Sequence, residues 1–272
     1  MDTADAVHYS QNRSFQDTHS QQFLGKHLEW VEGDTVLDVG CGTGETTRYI
    51  ARQNGVKAAV GFDVSPQFIR HTNGSNTVKN ATFFVADVQN SSEMKPEWRE
   101  SFSKAVSFYV LQWVGNKQGA VRNIASCLQP GGELLMTVPT DDNFLFKVSQ
   151  TMAAHARWQK YLCSCPDFVM KPWPADDEEG MYHLLQQWGF EMLTSDCPLL
   201  EQSYCSKEEA LKALHPFMAT GRIPPEEMDD YLADWWRHVC STDDVTRSSV
   251  SVRDDGTVTW TVRVFVVHAQ KR

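Results

Sequence analysis

One stretch constrains the fold more than any other. Asp38-Val39-Gly40-Cys41-Gly42-Thr43-Gly44 follows the short β-branched run Val36 to Val39 and precedes a helical pattern from Thr46 to Asn54, which Gly55 stops. A strand that ends in closely spaced glycines and reopens as a helix is a tight turn. Through it the backbone can approach a ligand with no β-carbons in the way. Its amides, at a helix N-terminus, suit a carboxylate or a phosphate. A dinucleotide fingerprint needs a further glycine three residues after Gly42. That position is Glu45, an anion that would face the pyrophosphate. The observed spacing is G-x-G-x-G behind an acidic residue.

The same grammar continues downstream. Ala58 to Asp63, Thr82 to Val85, Ala105 to Val110 and Glu133 to Val138 read as strands. Pro66 to Thr72 and Lys117 to Leu128 read as helices, and Pro130-Gly131-Gly132 as a turn. Strands alternating with helices imply right-handed crossovers and a parallel sheet. After Thr140, helical patterns cover Asn143 to Tyr161, Asp176 to Trp188, Lys207 to Leu214 and Glu226 to Val239. Phe190 to Leu193 reads as a strand, and so does Thr257 to His268, where Val258, Trp260, Val262, Val264 and Val266 alternate. The expected fold is α/β, a doubly wound, mostly parallel seven-stranded sheet with a helical cap. Residues 1–32 form an N-terminal helical segment (a helix over Gln16 to Trp30) that contributes to the substrate site, and 33–140 the ligand-binding core. Residues 141–189 and 200–245 form the cap, and 190–199 and 246–272 the last two strands.

Acidic residues recur where such sheets bind ligands, at the carboxyl ends of strands. Asp63 ends the second strand, nineteen residues after Gly44. A carboxylate there can accept from both hydroxyls of a ribose. The alternative is a cap for the next helix, a task that suits Ser65 better. Asp87 follows the third strand in Val85-Ala86-Asp87-Val88.

Charge and cysteine usage narrow the partners. With 35 acidic and 25 basic side chains the net charge is −10, a field that draws in neither nucleic acid nor anionic lipid. The seven cysteines are scattered, and Cys163 and Cys165 lack the two-residue gap of a metal knuckle or redox pair. Reduced thiols in a cytoplasmic protein, with no metal, are expected. Met1 to Phe15 lacks the pattern of a secretory leader. No apolar run approaches the roughly 20 residues of a membrane span.

On these residues the chain resembles class I S-adenosylmethionine-dependent methyltransferases, whose fold is Rossmann-like. The glycine turn behind Asp38 is similar to their first motif and Asp87 to their acidic second motif. The resemblance implies S-adenosyl-L-methionine as cofactor. Its amino-acid part would lie at Asp38, Gly40, Cys41, Gly42 and Gly44, its ribose at Asp63 and Val64, and its adenine at Asp87 and the backbone N–H of Val88. Ser107, at the end of the fourth strand, would belong to the same site. Val106 to Val114, Arg122-Asn123-Ile124, Leu128, Pro130-Gly131-Gly132 and Ser14-Phe15-Gln16 further resemble juvenile hormone acid O-methyltransferases. Those enzymes methylate the carboxylate of sesquiterpenoid acids. The likeness spans nearly the whole chain and is weaker beyond Thr140.

What this implies is a small lipophilic acid as substrate, such as a juvenile hormone acid or farnesoic acid. Its carboxyl group would be met by Gln16 and Trp113 as catalytic residues. Gln11 competes with Gln16, and Trp113 has an ordinary alternative as a core aromatic. Gln112 stands where the family often has His, a departure that bears on substrate identity more than on reaction type. A carboxylate is already ionised at neutral pH and needs no base. An alcohol or an amine more often would, and His8, His19, His27 or His155 could then serve. Another small acceptor and a catalytically silent cofactor-binding protein are the alternatives. A nucleic-acid or protein substrate is disfavoured because Ser107-Phe108-Tyr109 replaces the Asn/Asp-Pro-Pro-Tyr/Phe motif. Met228, Tyr231, Leu232, Trp235 and Val239 share a helix face, and Trp158, Tyr161 and Trp173 add aromatics. A subset of these would line a lipophilic pocket.

Overall fold

Local chemistry accounts for most element boundaries. The computed structural model describes residues 6–162, 169–171, 173, 177–240 and 249–272. Cys163, Cys165, Asp176 and 246–248 lie outside them. In β1 (Asp34–Val39) Val36, Leu37 and Val39 are fully buried, and α3 (Glu45–Ala51) begins directly after the glycine turn. β2 (Val56–Asp63) leads to α4 (Pro66–Ser75), whose first turn is set by Pro66 and by Ser65 Oγ accepting from Phe68 N–H. β3 (Ala81–Val85), β4 (Phe102–Ser107), α5 (Lys117–Cys127) and β5 (Leu128–Pro139) complete the first half. Asn116 caps α5 by accepting from Gly119 N–H.

The strands form one sheet in the order β3-β2-β1-β4-β5, followed by β9 (Val258–Lys271) and β6 (Phe190–Asp196). The first five are parallel, while β9 runs antiparallel to both β5 and β6. The doubly wound, mostly parallel sheet is as expected. Its order reverses between β1 and β4, and a crevice opens there at the carboxyl ends of the strands. Successive residues of β1 serve opposite faces. Val36 joins the core under α2 (Ser14–His27), α3 and α6 (Phe144–Ala154), and Leu37 joins the core under α5.

Several expectations shift. The fourth strand stops at Ser107 instead of Val110, because Tyr109 turns the chain with φ +59° and its N–H is taken by Thr137 Oγ1 at 3.0 Å. The glycine turn at 130–132 is a bulge inside β5, with Gly131 at φ +75° and a shifted register against β4. The helix expected over Gln16 to Trp30 ends at His27, where Leu28 is extended. The helix expected over Asn143 to Tyr161 breaks at His155, also extended, into α6 and α7 (Gln159–Leu162). α8 (Glu178–Gln187), expected in the cap, instead lays Met181 and Leu185 on the sheet face shared with α5.

Two strands were not anticipated. β7 (Leu199–Tyr204), within the stretch expected to be cap, and β8 (Val250–Val252) both pair with the first half of β9. β9 thus runs through two sheets. Val258 to Arg263 form the annex with β7 and β8, and Val264 onward enters the main sheet between β5 and β6. The cap proper is α6, α7, α9 (Lys207–Leu214) and α10 (Met228–Val239). α1 (Ala6–Gln11) and α2 fold back over the crevice, with Tyr9 stacked on Phe68 of α4 at 4.8 Å. Away from the crevice, Lys104 and Asp34 form a buried ion pair at 2.9 Å, and Ser103 Oγ also donates to Asp34. No described helix is long and apolar enough to cross a membrane.

Candidate active site

The turn after β1 depends on its neighbours as much as on its own glycines. Gly40 sits at φ +72° and Gly42 at φ +56°, where a side chain is strained. A Cβ at Gly40 would stand 2.4 Å from Val110 Cγ2, so the segment after β4 can press against the turn only because nothing projects from it. Gly40 N–H and Cys41 N–H donate to Phe62 O at 2.8 and 2.9 Å, Gly42 N–H to Asp63 Oδ2 at 3.0 Å, and Gly44 N–H to Cys41 O at 2.9 Å. The expectation that the turn aims its amides at an anion is therefore corrected. Four of them close the turn and tie it to the end of β2, and what the glycines contribute is room.

That room is a cavity of about 390 Å³ at the crevice, within the size range of small-molecule sites. Six of the anticipated cofactor residues line it: Gly40, Gly42, Asp63, Val64, Asp87 and Val88. Asp63 accepts one backbone N–H on each oxygen, from Gly42 at 3.0 Å and Ser65 at 2.8 Å. Each carboxylate oxygen can accept a second bond. Burial raises the Asp63 carboxyl above its ordinary value, against those two N–H bonds and Arg13. Asp87 Oδ1 accepts from Gln89 N–H at 2.9 Å. Gly44 turns away from the cavity, where a Cβ would strike Phe83 and Thr72 at 2.7 Å. Ser107 is fully buried at the end of β4, borders none of the cavities described here, and its hydroxyl has no partner.

Asp38 and Cys41 border a recess of about 20 Å³ beside the larger cavity, together with Gln16 and Tyr109. Asp38 is 3% exposed, and burial pushes its carboxyl up to about 6 even though Thr47 Oγ1 donates to it at 2.6 Å. Tyr9 and Arg13 roof this region, within 3.3 Å of a Cβ placed on Gly42. Arg13 is held by Asp17 at 2.8 Å and Glu45 at 2.7 Å. The sequence reading passed over both residues. Their only signal was an arginine and a tyrosine in an otherwise unremarkable N-terminal stretch.

On the acceptor side an apolar chamber of about 40 Å³ lies next to the cofactor-sized cavity. Trp260, Val262 and Val264, alternate residues of β9, form one wall, and Phe15, Phe217 and Met170 face them. Gln16 borders both this chamber and the recess at Asp38. Gln11 is exposed and borders none of these spaces, and neither do His8, His19, His27 and His155. Trp113 borders the 390 Å³ cavity, stacks on Phe217 at 6.0 Å, and its buried Nε1 has no partner. Tyr109 touches all three spaces. Its buried hydroxyl has no partner, and burial pushes the phenol well above its ordinary value, so it remains a donor. Of the cap aromatics, Trp158, Trp235 and Tyr231 are fully buried packing residues, away from the chamber.

Residues 10–195 match the family model described as a methyltransferase domain. The juvenile hormone acid O-methyltransferase of Bombyx mori is 24% identical, over 100% of this chain and 98% of that protein. Among solved structures, the YcgJ protein of Bacillus subtilis matches with a TM-score of 0.65 at 16% identity, over 94% of this chain and 99% of that one. Phosphoethanolamine N-methyltransferase 2 of Haemonchus contortus, solved with S-adenosyl-L-methionine, matches with a TM-score of 0.58 at 16% identity, over 99% of this chain and 57% of that one.

Proposed function

The chain belongs to the methyltransferase domain family and uses S-adenosylmethionine, and from that premise we propose that it methylates the carboxylate of a small lipophilic acid. When bound, the cofactor supplies an electrophilic sulfonium methyl group. The chain's own residues fit such a group. Asp63 keeps acceptor capacity for two ribose hydroxyls. Asp87 and Val88 border the same cavity for the adenine, and the bare edges of Gly40 and Gly42 admit the amino-acid end. Asp38 and Cys41 would stand behind that end, and Asp38 would attract its ammonium. Gly44 would serve by shaping the turn and Ser107 by its position at the end of β4.

The observation that carries the acceptor assignment is a set of donors where polar cavity and apolar chamber meet. Tyr109 borders both spaces, Gln16 borders the chamber and Trp113 the cavity, and the Tyr109 hydroxyl and Trp113 Nε1 are buried without partners. Unpaired buried donors are costly, and a carboxylate would satisfy them. An ionised acid needs no base, so these side chains have to orient an oxygen toward the methyl group and exclude water. Gln16 and Trp113 are the proposed catalytic contacts, with Tyr109 beside them.

The chamber, at about 40 Å³, holds little more than one water, whereas sites for drug-sized ligands span about 300–1,000 Å³. A prenyl-length tail therefore requires α6 and α9 to move off β9. The small volume also favours a second reading, a shorter acceptor such as a polar acid or a phenol. Incubation with labelled S-adenosylmethionine and matched acids, phenols and amines, followed by mass analysis, decides between them. Methyl esters of lipophilic acids are expected. Methylation of a phenol or amine with no ester formed would overturn the carboxyl assignment. The cytosol is the proposed location, since Cys41, Cys127, Cys197, Cys205 and Cys240 are all thiols.

A further inference from the structure

Gln112 lines the apolar chamber and is 2% exposed. Its amide orientation is set by chemistry: Nε2 lies 2.8 Å from the Tyr109 carbonyl oxygen, which only an N–H can face. The other end of the amide, Oε1, is thereby fixed as an acceptor, buried and without a partner. Most of the chamber wall is carbon, and its polar members, among them Gln16, Asn143, Tyr204 and the unpartnered Trp260 indole N–H, make no hydrogen bond to this oxygen. The one hydroxyl nearby that also lacks a partner, that of Tyr109, does not reach it. The chamber thus holds a fixed acceptor that nothing among the described residues satisfies.

We infer that the molecule bound in this chamber carries a hydrogen-bond donor, a hydroxyl, that pairs with Gln112 Oε1. The inference deepens the carboxyl-methylation reading and rests on it for the nature of the other end. Trp113 faces the cofactor-sized cavity and Gln112 the chamber, on consecutive residues of one turn. The hydroxyl therefore lies within a few carbons of the carboxylate, on the apolar tail. The substrate class is a short-range hydroxylated lipophilic acid. An acid whose tail presents only carbon, or only an ether-type acceptor, leaves Oε1 unpaired. An unpaired buried polar atom weakens binding by about 5- to 150-fold.

The test compares dodecanoic acid with its 2-, 3- and 4-hydroxy derivatives, and the methyl esters of all four. Binding is read by calorimetry to the complex with S-adenosylhomocysteine, and turnover of the acids is read separately. At least one hydroxylated compound is expected to bind tenfold or more tighter than its parent. In Gln112→Met that advantage is expected to vanish while S-adenosylhomocysteine binding is kept. The wild-type comparison needs no variant, so a misfolded Gln112→Met leaves the test intact. Equal binding of parent and hydroxylated forms, as when a water already satisfies Oε1, overturns the inference. So do absent binding of every compound and an advantage that persists in Gln112→Met. The esters carry no methylatable carboxylate. A hydroxyl preference among them with no acid turned over would refute carboxyl methylation and leave this inference standing.

Discussion

Replacing Asp38 by asparagine is expected to stabilise the protein above neutral pH while weakening its hold on the cofactor. In the unfolded chain this carboxyl loses its proton near 3.8, and in the native protein near 6, mainly through burial. Between those values the unfolded chain binds fewer protons than the native one, so stability falls as pH rises. Above 6 the native state carries the whole difference. A gap of about 2 pH units at 1.36 kcal/mol each comes to about 3 kcal/mol. The asparagine amide would keep an oxygen for the Thr47 hydroxyl and would not titrate. Urea unfolding of both proteins from pH 4 to pH 8 isolates this one group, because the other carboxylates titrate alike in each. From pH 4 to pH 8 the stability difference is expected to grow by about 2.5 kcal/mol in favour of Asp38→Asn, most of it between pH 4 and 6. Affinity for S-adenosylhomocysteine is expected to rise through pH 6 in the wild type, and to be at least tenfold weaker and flat with pH in the variant. A stability difference that stays constant with pH would refute the reasoning.

Gly42→Val forces a branched side chain onto φ +56°, with Tyr9 and Arg13 at 3.3 Å, and should abolish S-adenosylhomocysteine binding in a chain that still folds by circular dichroism. Asp63→Ala should weaken cofactor binding at least tenfold, since bonds to a charged group are worth about 1.5–3 kcal/mol each; unchanged affinity would leave Asp63 only a clamp on Gly42 and Ser65. Gln16→Ala and Trp113→Ala should keep cofactor affinity in titrations and lower acid turnover about 100-fold in steady-state kinetics. Asp34→Ala takes the nearer of two carboxylates from the Lys104 ammonium, 5% exposed in its side chain, leaving Glu133 at 3.6 Å, and should cost about 3 kcal/mol in urea unfolding, part of which the added change Lys104→Met should restore.

The readable part of this molecule was the part encoded locally. The glycine turn and the acidic residues after β2 and β3 lie within a few residues of the strand ends that place them, so spacing alone located the cavity. Tyr9, Arg13 and Tyr109 were not readable, because their roles come from distant contacts. Tyr9 and Arg13 meet the turn across 30 residues of chain, and Tyr109 turns the chain where a hydroxyl from β5 takes its N–H. β7 and β8 escaped notice for a related reason. Leu199–Tyr204 alternates in burial, but its sequence puts a leucine on the exposed face and a glutamine on the inner one, so the apolar alternation that marks a half-buried strand is missing. Its pairing depends on β9, more than 50 residues later. The alternation in β9 was legible, but one period served two sheets, and sequence could not say where the first gives way to the second.

Because β9 lies between β5 and β6, the sheet cannot close until the ribosome has passed Val258 and the strand that it opens. From Pro139 to Val258 the nascent chain grows by about 120 residues with the outer edge of β5 unpaired. At about 5–20 residues per second that interval lasts roughly 6 to 24 s. A bare, largely apolar strand edge is a template for aggregation, and here it waits on the strand that also builds the acceptor chamber. A protein halted before Val258 would have its whole glycine turn and no place to hold an acceptor. Quality control that recognises the open edge of β5 would therefore remove chains that have a cofactor site but no chamber wall for a substrate.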